Sequence, residues 1–171
     1  MSLLCLRNPQ RARRIDLRLL RKIVLFTLRD VFQEPHFELG IRLVAADEMA
    51  KINETFLQHA GSTDVVTFDY TAENSIPPTG TDAGTSIPPS LHGEIFISID
   101  DAVTQAKQFG TTWQTELARY AVHGLLHLRG FDDLNATARR KMKREESRVL
   151  KILADRFRLA QLQRKPKIKN G

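Results

Sequence analysis

The chain has 171 residues, of which 42% are hydrophobic and 27% charged, and its net charge is +6. This length suits one domain with a substantial core, and the single cysteine, Cys5, excludes both an internal disulfide and a cysteine-based zinc ribbon. No apolar run reaches the roughly 18 residues that a membrane span needs, and several arginines precede any apolar stretch long enough for a signal peptide. We therefore expect a cytoplasmic protein with no membrane partner.

The basic residues are concentrated towards the two ends of the chain. Of the 26 Lys and Arg residues, seven lie in residues 7–22 and thirteen in residues 139–169, whereas residues 23–138 hold six against 16 acids. Basic segments attract polyanions such as nucleic acids, largely without regard to sequence. Solvated helix faces would give the same composition, so charge alone leaves both interpretations open.

The first third of the chain predicts a strand, a helix, a second strand and a second helix. Residues 3–7 are a candidate edge strand, and Asp16 is a plausible N-cap for the helix that follows. That helix should end before Pro35. Its apolar positions recur at helical spacing: Leu20, Val24, Leu28 and Val31. Residues 37–44 alternate as a half-buried strand does, and residues 47–57 predict a helix.

Two further strands and three helices are predicted after this point. The strands are residues 65–68 and 95–99. Asp100 or Asp101 should cap the next helix, which runs to about residue 109.

Glycine at position 110 then breaks the chain, and Thr111 or Thr112 should cap a helix that continues to His127. Asn135 should cap a last long helix, with Met142 and Phe157 among its apolar positions. The elements together predict an α+β fold, with a small mixed sheet of about four strands packed against about five helices.

Residues 71–90 differ from the rest of the chain, because they are rich in Pro, Gly, Ser and Thr and poor in large apolar residues. Such a segment cannot bury enough apolar surface to order itself. We therefore predict one metal-binding domain in residues 1–160 with a flexible insertion at about 71–90. Residues 161–171 are predicted to form a basic, disordered tail.

The most informative motif is His123-Gly-Leu-Leu-His127, followed by Gly130, Asp132 and Asp133. Residues i and i+4 lie on one face of a helix, so both imidazoles can reach one metal ion. Gly130 can end that helix in the left-handed conformation, and the chain can then return a carboxylate as third ligand. Three protein ligands with an open position are typical of a catalytic zinc site.

This spacing also resembles that of the metzincin proteases, but one residue argues against their mechanism. Those enzymes carry a glutamate directly after the first histidine as the general base. Here the position is Gly124, which cannot transfer a proton. Peptide hydrolysis by a metalloprotease-like route therefore stays only as the second alternative.

A different family fits the motif better. Residues 123–133, HGLLHLRGFDD, resemble the H-G-x-L-H-L-x-G-[YF]-D-H signature of the YbeY endoribonucleases, which are rRNA maturation factors. Residues 61–68 are similar to that family's P-T-D-V-L-S-F strand, and residues 93–98 to its G-D-I-x-I-S strand. The blocks fall in the family's order, and the resemblance implies the same α+β fold.

The resemblance implies a metal site made by His123, His127 and Asp133. Asp133 stands where the family usually has a third histidine, whereas Asp132 matches the family's own aspartate and is expected to support the site indirectly. Two imidazoles and one carboxylate suit one Zn²⁺ per chain. Manganese or nickel would also be acceptable to this donor set.

Other candidate site residues come partly from the same comparison, as for Thr63 and Asp64, and partly from the chain's own pattern, as for Glu116. Thr63, Asp64 and Glu116 are expected to support the metal or line a cleft. Leu57 stands where the family usually carries an arginine, which would contact a substrate phosphate. In this chain another basic residue could take over that contact: Arg42, Lys51 or Arg129. Four basic residues of the last predicted helix are the candidate RNA contacts: Arg139, Arg140, Lys143 and Arg144.

The resemblance implies a metal-dependent, single-strand-specific endoribonuclease that acts in ribosomal RNA maturation and ribosome quality control. The expected partners are ribosomal RNA and, in addition, a ribosomal protein or the small ribosomal subunit. The first alternative is a non-catalytic ribosome assembly factor with a structural metal, which the absent glutamate and the absent arginine both favour.

Overall fold

A computed structural model describes residues 2–58, 63–71 and 90–166 of the chain. The four strands of the described chain form one sheet: β1 Leu3–Arg7, β2 Phe37–Val44, β3 Val65–Asp69 and β4 Leu91–Ser98. Their order in the sheet is β1-β2-β4-β3. The β1–β2 and β2–β4 pairs are parallel and β3 is antiparallel to β4, so the sheet is mixed, as predicted.

Five α-helices occur in the described residues: α1 Leu17–Phe26, α2 Ala46–Ile52, α3 Ile99–Phe109, α4 Trp113–Leu128 and α5 Ala136–Arg156. Helices α1 and α2 each continue into a π-helical turn, Thr27–Val31 and Asn53–Leu57 respectively. The α+β prediction is therefore confirmed. None of these helices has both the length and the apolar character needed to span a bilayer.

Three helix starts follow from capping side chains that the sequence already indicated. Asp16 Oδ1 accepts from the backbone N–H groups of Arg18 and Leu19, each at 3.0 Å. The side chains of Thr112 and Asn135 likewise cap α4 and α5. These bonds satisfy N–H groups that have no partner within the helix.

The prediction for the start of α3 was wrong. Strand β4 begins at Leu91 rather than at residue 95 and ends at Ser98, which is the N-cap of α3 and accepts from the Asp101 N–H. The Asp100 carboxylate instead accepts the Ala46 N–H at 2.7 Å and so caps α2. Local sequence cannot reveal this, because the two partners meet only through the parallel β2–β4 pair.

Helix α4 lies against the sheet at two glycines. A Cβ on Gly124 would lie 2.6 Å from Ile95 Cγ2, and a Cβ on Gly93 would lie 2.3 Å from the Phe68 carbonyl oxygen and 2.7 Å from Leu128 Cδ2. Neither approach is compatible with a side chain. These two glycines therefore set the distance between the histidine-bearing helix and the middle of the sheet.

The chain remains packed beyond the predicted domain boundary at residue 160. Leu159–Leu162 form a 3₁₀ turn, Leu162 is fully buried, and Gln163 pairs with Ile15 in an isolated β-bridge. Residues 161–164 therefore do not belong to a disordered tail. Helix α5 also ends at residue 156, before Phe157. The predicted insertion, apart from residues 71 and 90, lies outside the described residues, as does the chain after residue 166.

Candidate metal centre and cleft

The two histidines of the motif meet on one face of α4. The Nε2 atoms of His123 and His127 are 3.0 Å apart, and the ring planes cross at 80°. Both side chains are half-buried, because the opposite face of α4 forms part of the core. The i, i+4 spacing therefore brings two nitrogen donors to one point, as predicted.

The hydrogen bonds of the two rings fix which nitrogen faces that point. His123 Nδ1 lies 2.9 Å from Glu146 Oε2, and His127 Nδ1 lies 3.0 Å from the Phe131 carbonyl oxygen. A carboxylate and a carbonyl only accept, so each Nδ1 donates, and each neutral ring presents a lone pair at Nε2. With both rings neutral, two lone pairs would face each other at 3.0 Å and repel, and either a proton on one Nε2 or a cation bound by both removes that repulsion. The donor set thus fits a metal ion.

The turn after α4 brings the third donor. Gly130 has φ +88°, and its N–H donates to the His127 carbonyl at 2.9 Å, while Phe131 N–H donates to Leu126 at 3.0 Å. This left-handed glycine reverses the chain. One ligand atom each from His123, His127 and Asp133 then lie within 4.8 Å of one another, so this group could hold a metal ion.

The two neighbouring aspartates have different surroundings. Asp132 is exposed, and its Oδ1 accepts the Leu134 N–H at 3.2 Å, which forms a local turn. The Asp133 carbonyl oxygen accepts from Arg139 Nη2 at 3.2 Å, which ties this residue to the first turn of α5. The geometry therefore favours Asp133 over Asp132 as the third donor.

The surroundings separate the proton affinities of the two imidazoles. Burial lowers the pKa of His123, but the hydrogen bond to Glu146 and the charge of that carboxylate outweigh it, so the pKa lies above its ordinary value. Burial and the neighbouring His123 lower the pKa of His127. His127 therefore stays neutral near pH 7, which is the state a metal ligand requires.

We expect the two aspartates to respond differently to truncation. Asp133→Ala removes a donor and should weaken zinc binding by more than the roughly 10–100-fold typical of indirect partners. Asp132→Ala removes only a turn hydrogen bond and should leave binding nearly unchanged, while Asp133→His should retain the metal. Competition titration against a chelator measures all three. Zinc loss in Asp132→Ala with retention in Asp133→Ala would overturn the assignment of the third donor.

A cleft of about 410 Å³ opens beside the metal group. His123 and Asp133 line it together with three basic and two aromatic side chains: Phe109 at the end of α3, Arg119 and Tyr120 of α4, and Arg139 and Lys143 of α5. Of the remaining predicted residues, Asp64 and Glu116 also line this cleft. Thr63 does not; its hydroxyl lies 3.3 Å from Asp64 Oδ1, beside that wall.

The four predicted RNA contacts divide into two pairs on α5. Arg139 and Lys143, four residues apart, line the cleft, whereas Arg140 and Arg144 are exposed on a neighbouring stripe of the helix and do not. One residue along a helix corresponds to roughly 100° of rotation, which separates the pairs. Of the four predicted RNA contacts, Arg139 and Lys143 are therefore the two that share the cleft with the metal group.

Sequence reasoning missed a buried carboxylate–guanidinium network behind the metal group. Arg119 Nη1 donates to Glu146 Oε1 at 3.1 Å, and Arg119 Nε lies 3.3 Å from Glu116 Oε2. The Thr111 hydroxyl donates to Glu116 Oε1 at 2.7 Å. Burial opposes ionisation of Glu146, but the hydrogen bonds from His123 and Arg119 hold the pKa of its carboxyl below the usual range.

A sequence signal for Glu146 does exist. It falls on the apolar stripe of α5, among buried Met142, Val149, Leu150 and Leu153. A carboxylate on a buried helix face requires a partner. Here Glu146 has two partners, Arg119 and His123, and its hydrogen bond to His123 orients that candidate metal ligand.

The basic residues considered as replacements for Leu57 lie elsewhere. Arg129 Nε donates to Glu34 at 3.2 Å and the guanidinium covers the Phe32 ring at 4.4 Å, while Arg42 lies 3.8 Å from Glu48. None of the three candidates, Lys51 included, lines the cleft. Two arginines line the cleft with His123: Arg139, already a candidate RNA contact, and Arg119, which the motif comparison did not indicate.

The fold and this site define an α+β protein with a three-donor candidate metal centre at the edge of a partly cationic cleft. The chain belongs to the YbeY family, because the profile described as Endoribonuclease YbeY matches residues 6–154.

Individual relatives agree with that membership. The chain is 36% identical to the endoribonuclease YbeY of Parabacteroides distasonis over 112 residues, which cover 66% of this chain and 68% of that protein. It is 30% identical to the one from Chlorobium phaeovibrioides over 143 residues, with 74% and 86% covered. A solution structure from Thermotoga maritima shares the fold, with a TM-score of 0.61 at 20% identity over 99% of this chain and 100% of that one.

Proposed function

We propose that this protein is a zinc-dependent endoribonuclease that cleaves single-stranded RNA and acts in the cytoplasm in ribosomal RNA maturation and quality control. The observation that carries the proposal is the convergence of His123, His127 and Asp133 at the edge of a cleft that also holds Arg139 and Lys143. Its family description as an endoribonuclease supplies the reaction class. The expected partners are ribosomal RNA and, in addition, a ribosomal protein or the small ribosomal subunit.

Each group in the cleft has a distinct task under this proposal. His123, His127 and Asp133 would hold the zinc, which when bound supplies Lewis-acid polarisation of a phosphoryl oxygen. Glu146 holds the proton on His123 Nδ1, and the Phe131 carbonyl holds the one on His127 Nδ1. Arg139 and Lys143 bind the RNA phosphates that flank the reacting one.

The charged side chains of the cleft differ in how deeply they lie and in whether they are paired. Arg119 is 32% exposed at its side chain and is already paired with Glu116 and Glu146, which are 4% and 10% exposed. Arg139 and Lys143 are exposed and carry no carboxylate partner within salt-bridge distance among the described residues. The two carboxylates of the floor exceed its one guanidinium, so the positive charge that is available to an anionic strand lies at the rim.

Gly124 weighs against the metalloprotease alternative on steric grounds. Any side chain there would enter the space of Ile95, so the general base of the zincin mechanism cannot be accommodated at this position. The assembly-factor alternative is favoured by the pairing of Arg119 with two carboxylates, because the arginine on the histidine-bearing helix is then already engaged.

We expect zinc-loaded protein to cleave a labelled single-stranded oligoribonucleotide and to leave the matching duplex intact. Removing zinc with a chelator should abolish cleavage, and returning zinc should restore it. Lys143→Gln should lower affinity and reduce the slope of log K against log salt by about 0.7, since one phosphate contact is lost on a single strand. Arg144→Gln makes the same charge change one residue along α5 and should have a much smaller effect.

The outcomes separate the candidate functions. RNA binding without cleavage by zinc-loaded protein would favour the assembly factor. Equal losses in Lys143→Gln and Arg144→Gln would mean that RNA follows the whole basic helix and not the cleft. A 2′-deoxy substitution at the cleaved position identifies the nucleophile, because cleavage that survives it cannot use the ribose 2′-hydroxyl.

A further inference from the structure

Phe109 is an exposed aromatic side chain at the end of α3. The residue is 65% exposed, and Gly110, with φ +66°, directly follows it and turns the chain towards α4. Five large apolar side chains of the described chain are exposed: Leu3, Phe56, Leu57, Phe109 and Leu134. Among these, Phe109 is the one that lines the cleft beside the metal group.

The surroundings of Phe109 do not explain it as a packing residue. It is absent from both hydrophobic clusters of the described chain and from the side chains that pack against them. Phe56, which is 64% exposed, by contrast contacts the Phe68 ring edge-on at 5.4 Å between centroids. Exposing an aromatic ring without packing costs hydrophobic stabilisation, which a ligand in the cleft would recover.

The other groups in the cleft indicate what such a ligand contains. Arg139 and Lys143 suit phosphates, and the neighbouring His123 and Asp133 belong to the candidate reaction centre. A volume of about 410 Å³ lies at the small end of the range for ligand sites, which suits one nucleotide and not a base-paired stack. A flat apolar ring beside phosphate-binding cations matches the way proteins hold unpaired bases.

We propose that Phe109 is the platform on which one base next to the reacting phosphate stacks, and that this contact is a source of the preference for single-stranded RNA. A base can lie flat on the ring only after it has left its own stack, which a duplex resists. Because every base has a π-face, the contact selects strandedness and not sequence. This inference rests on the proposed function and adds a specificity residue to it.

The test uses three substitutions at Phe109 in zinc-loaded, full-length protein with a fluorescently labelled single-stranded oligoribonucleotide. Phe109→Leu keeps an apolar side chain but loses the π-face, and should weaken binding by about 5- to 150-fold, the range for one stacked base. Phe109→Ala should weaken it to a similar degree. Phe109→Trp should bind at least as tightly as wild type. Phe56→Leu, at a matched exposure outside the cleft, should leave binding unchanged.

A second substrate series identifies the stacked base. Oligoribonucleotides with a single abasic position are tested one position at a time, and at the stacked position the difference between wild type and Phe109→Leu should disappear. Unchanged affinity in Phe109→Leu and Phe109→Ala, with wild type still cleaving RNA, would overturn this inference and leave the proposed function standing. If zinc-loaded wild type neither binds nor cleaves the single strand, both fall together.

Discussion

Protein purified without added metal is expected to carry about one zinc per chain, and both His123→Ala and His127→Ala should lose it. Each substitution removes one of the three donors that converge at the site. Loss of even an indirect partner costs about 10–100-fold in metal affinity, so loss of a ligand should exceed that. Elemental analysis of freshly purified protein measures the stoichiometry.

The same variants predict a specific pattern of thermal stability. His127 is half-buried and its Nδ1 bonds a backbone carbonyl, so His127→Ala should leave the metal-free melting temperature within a few degrees of metal-free wild type. His123→Ala should lower it further, because the buried Glu146 carboxylate loses one of its two partners. Wild type with free zinc at about 100 times its Kd should gain about 2.7 kcal/mol, and the variants should not. His92→Ala is the matched control, since this half-buried histidine lies outside the donor group. Wild type without any bound transition metal would refute the site.

Gly124→Ala is expected to destabilise the fold, although alanine is the better helix former. The added Cβ would lie 2.6 Å from Ile95 Cγ2 and 3.0 Å from Ile95 Cδ1, both in the middle of the sheet. Overpacking of this kind costs about 1–3 kcal/mol, which outweighs the roughly 1 kcal/mol that a helix gains from glycine to alanine. Gly124→Glu, the residue of a zincin protease, should not fold.

A double-mutant cycle identifies the cause of that loss. Ile95→Ala alone should cost about 2–5 kcal/mol through a cavity, but it makes room for a side chain at position 124. Gly124→Ala should therefore be less damaging in the Ile95→Ala background, and chemical denaturation of the four proteins measures the coupling. Additive losses would mean that the backbones of α4 and β4 are held apart by other contacts.

Much of the fold could be predicted because its signals are local. Alternating apolar residues predicted Phe37–Val44 with its observed bounds, and single capping residues such as Asp16 and Asn135 marked helix starts. Asp100 was assigned to the wrong helix because its partner, Ala46, lies far away in sequence. The packed turn around Leu162 was missed because its burial depends on residues near Ile15.

The candidate site likewise contains residues that local sequence could identify and residues that it could not. The donors His123, His127 and Asp133 share one helix and its following turn, so spacing alone could bring them together. Glu146 and Arg119 meet across two helices, and no local pattern connects them. The cleft role of Phe109 depends on where α3 ends relative to α4 and α5, which only the assembled fold determines.

Residues just before α1 also form backbone hydrogen bonds with residues that follow α5. The Asp16 N–H donates to the Leu162 carbonyl at 2.8 Å, and the Arg164 N–H donates to the Arg14 carbonyl at 2.9 Å. Closing so long a loop is entropically costly, and the parallel β1–β2–β4 arrangement adds further contacts between distant segments. During synthesis, Ile15 stays uncovered until residue 162 has emerged from the ribosome and can reach it. The architecture therefore delays completion of the native state, and each nascent chain must keep an unfinished apolar surface from aggregating until that late contact forms.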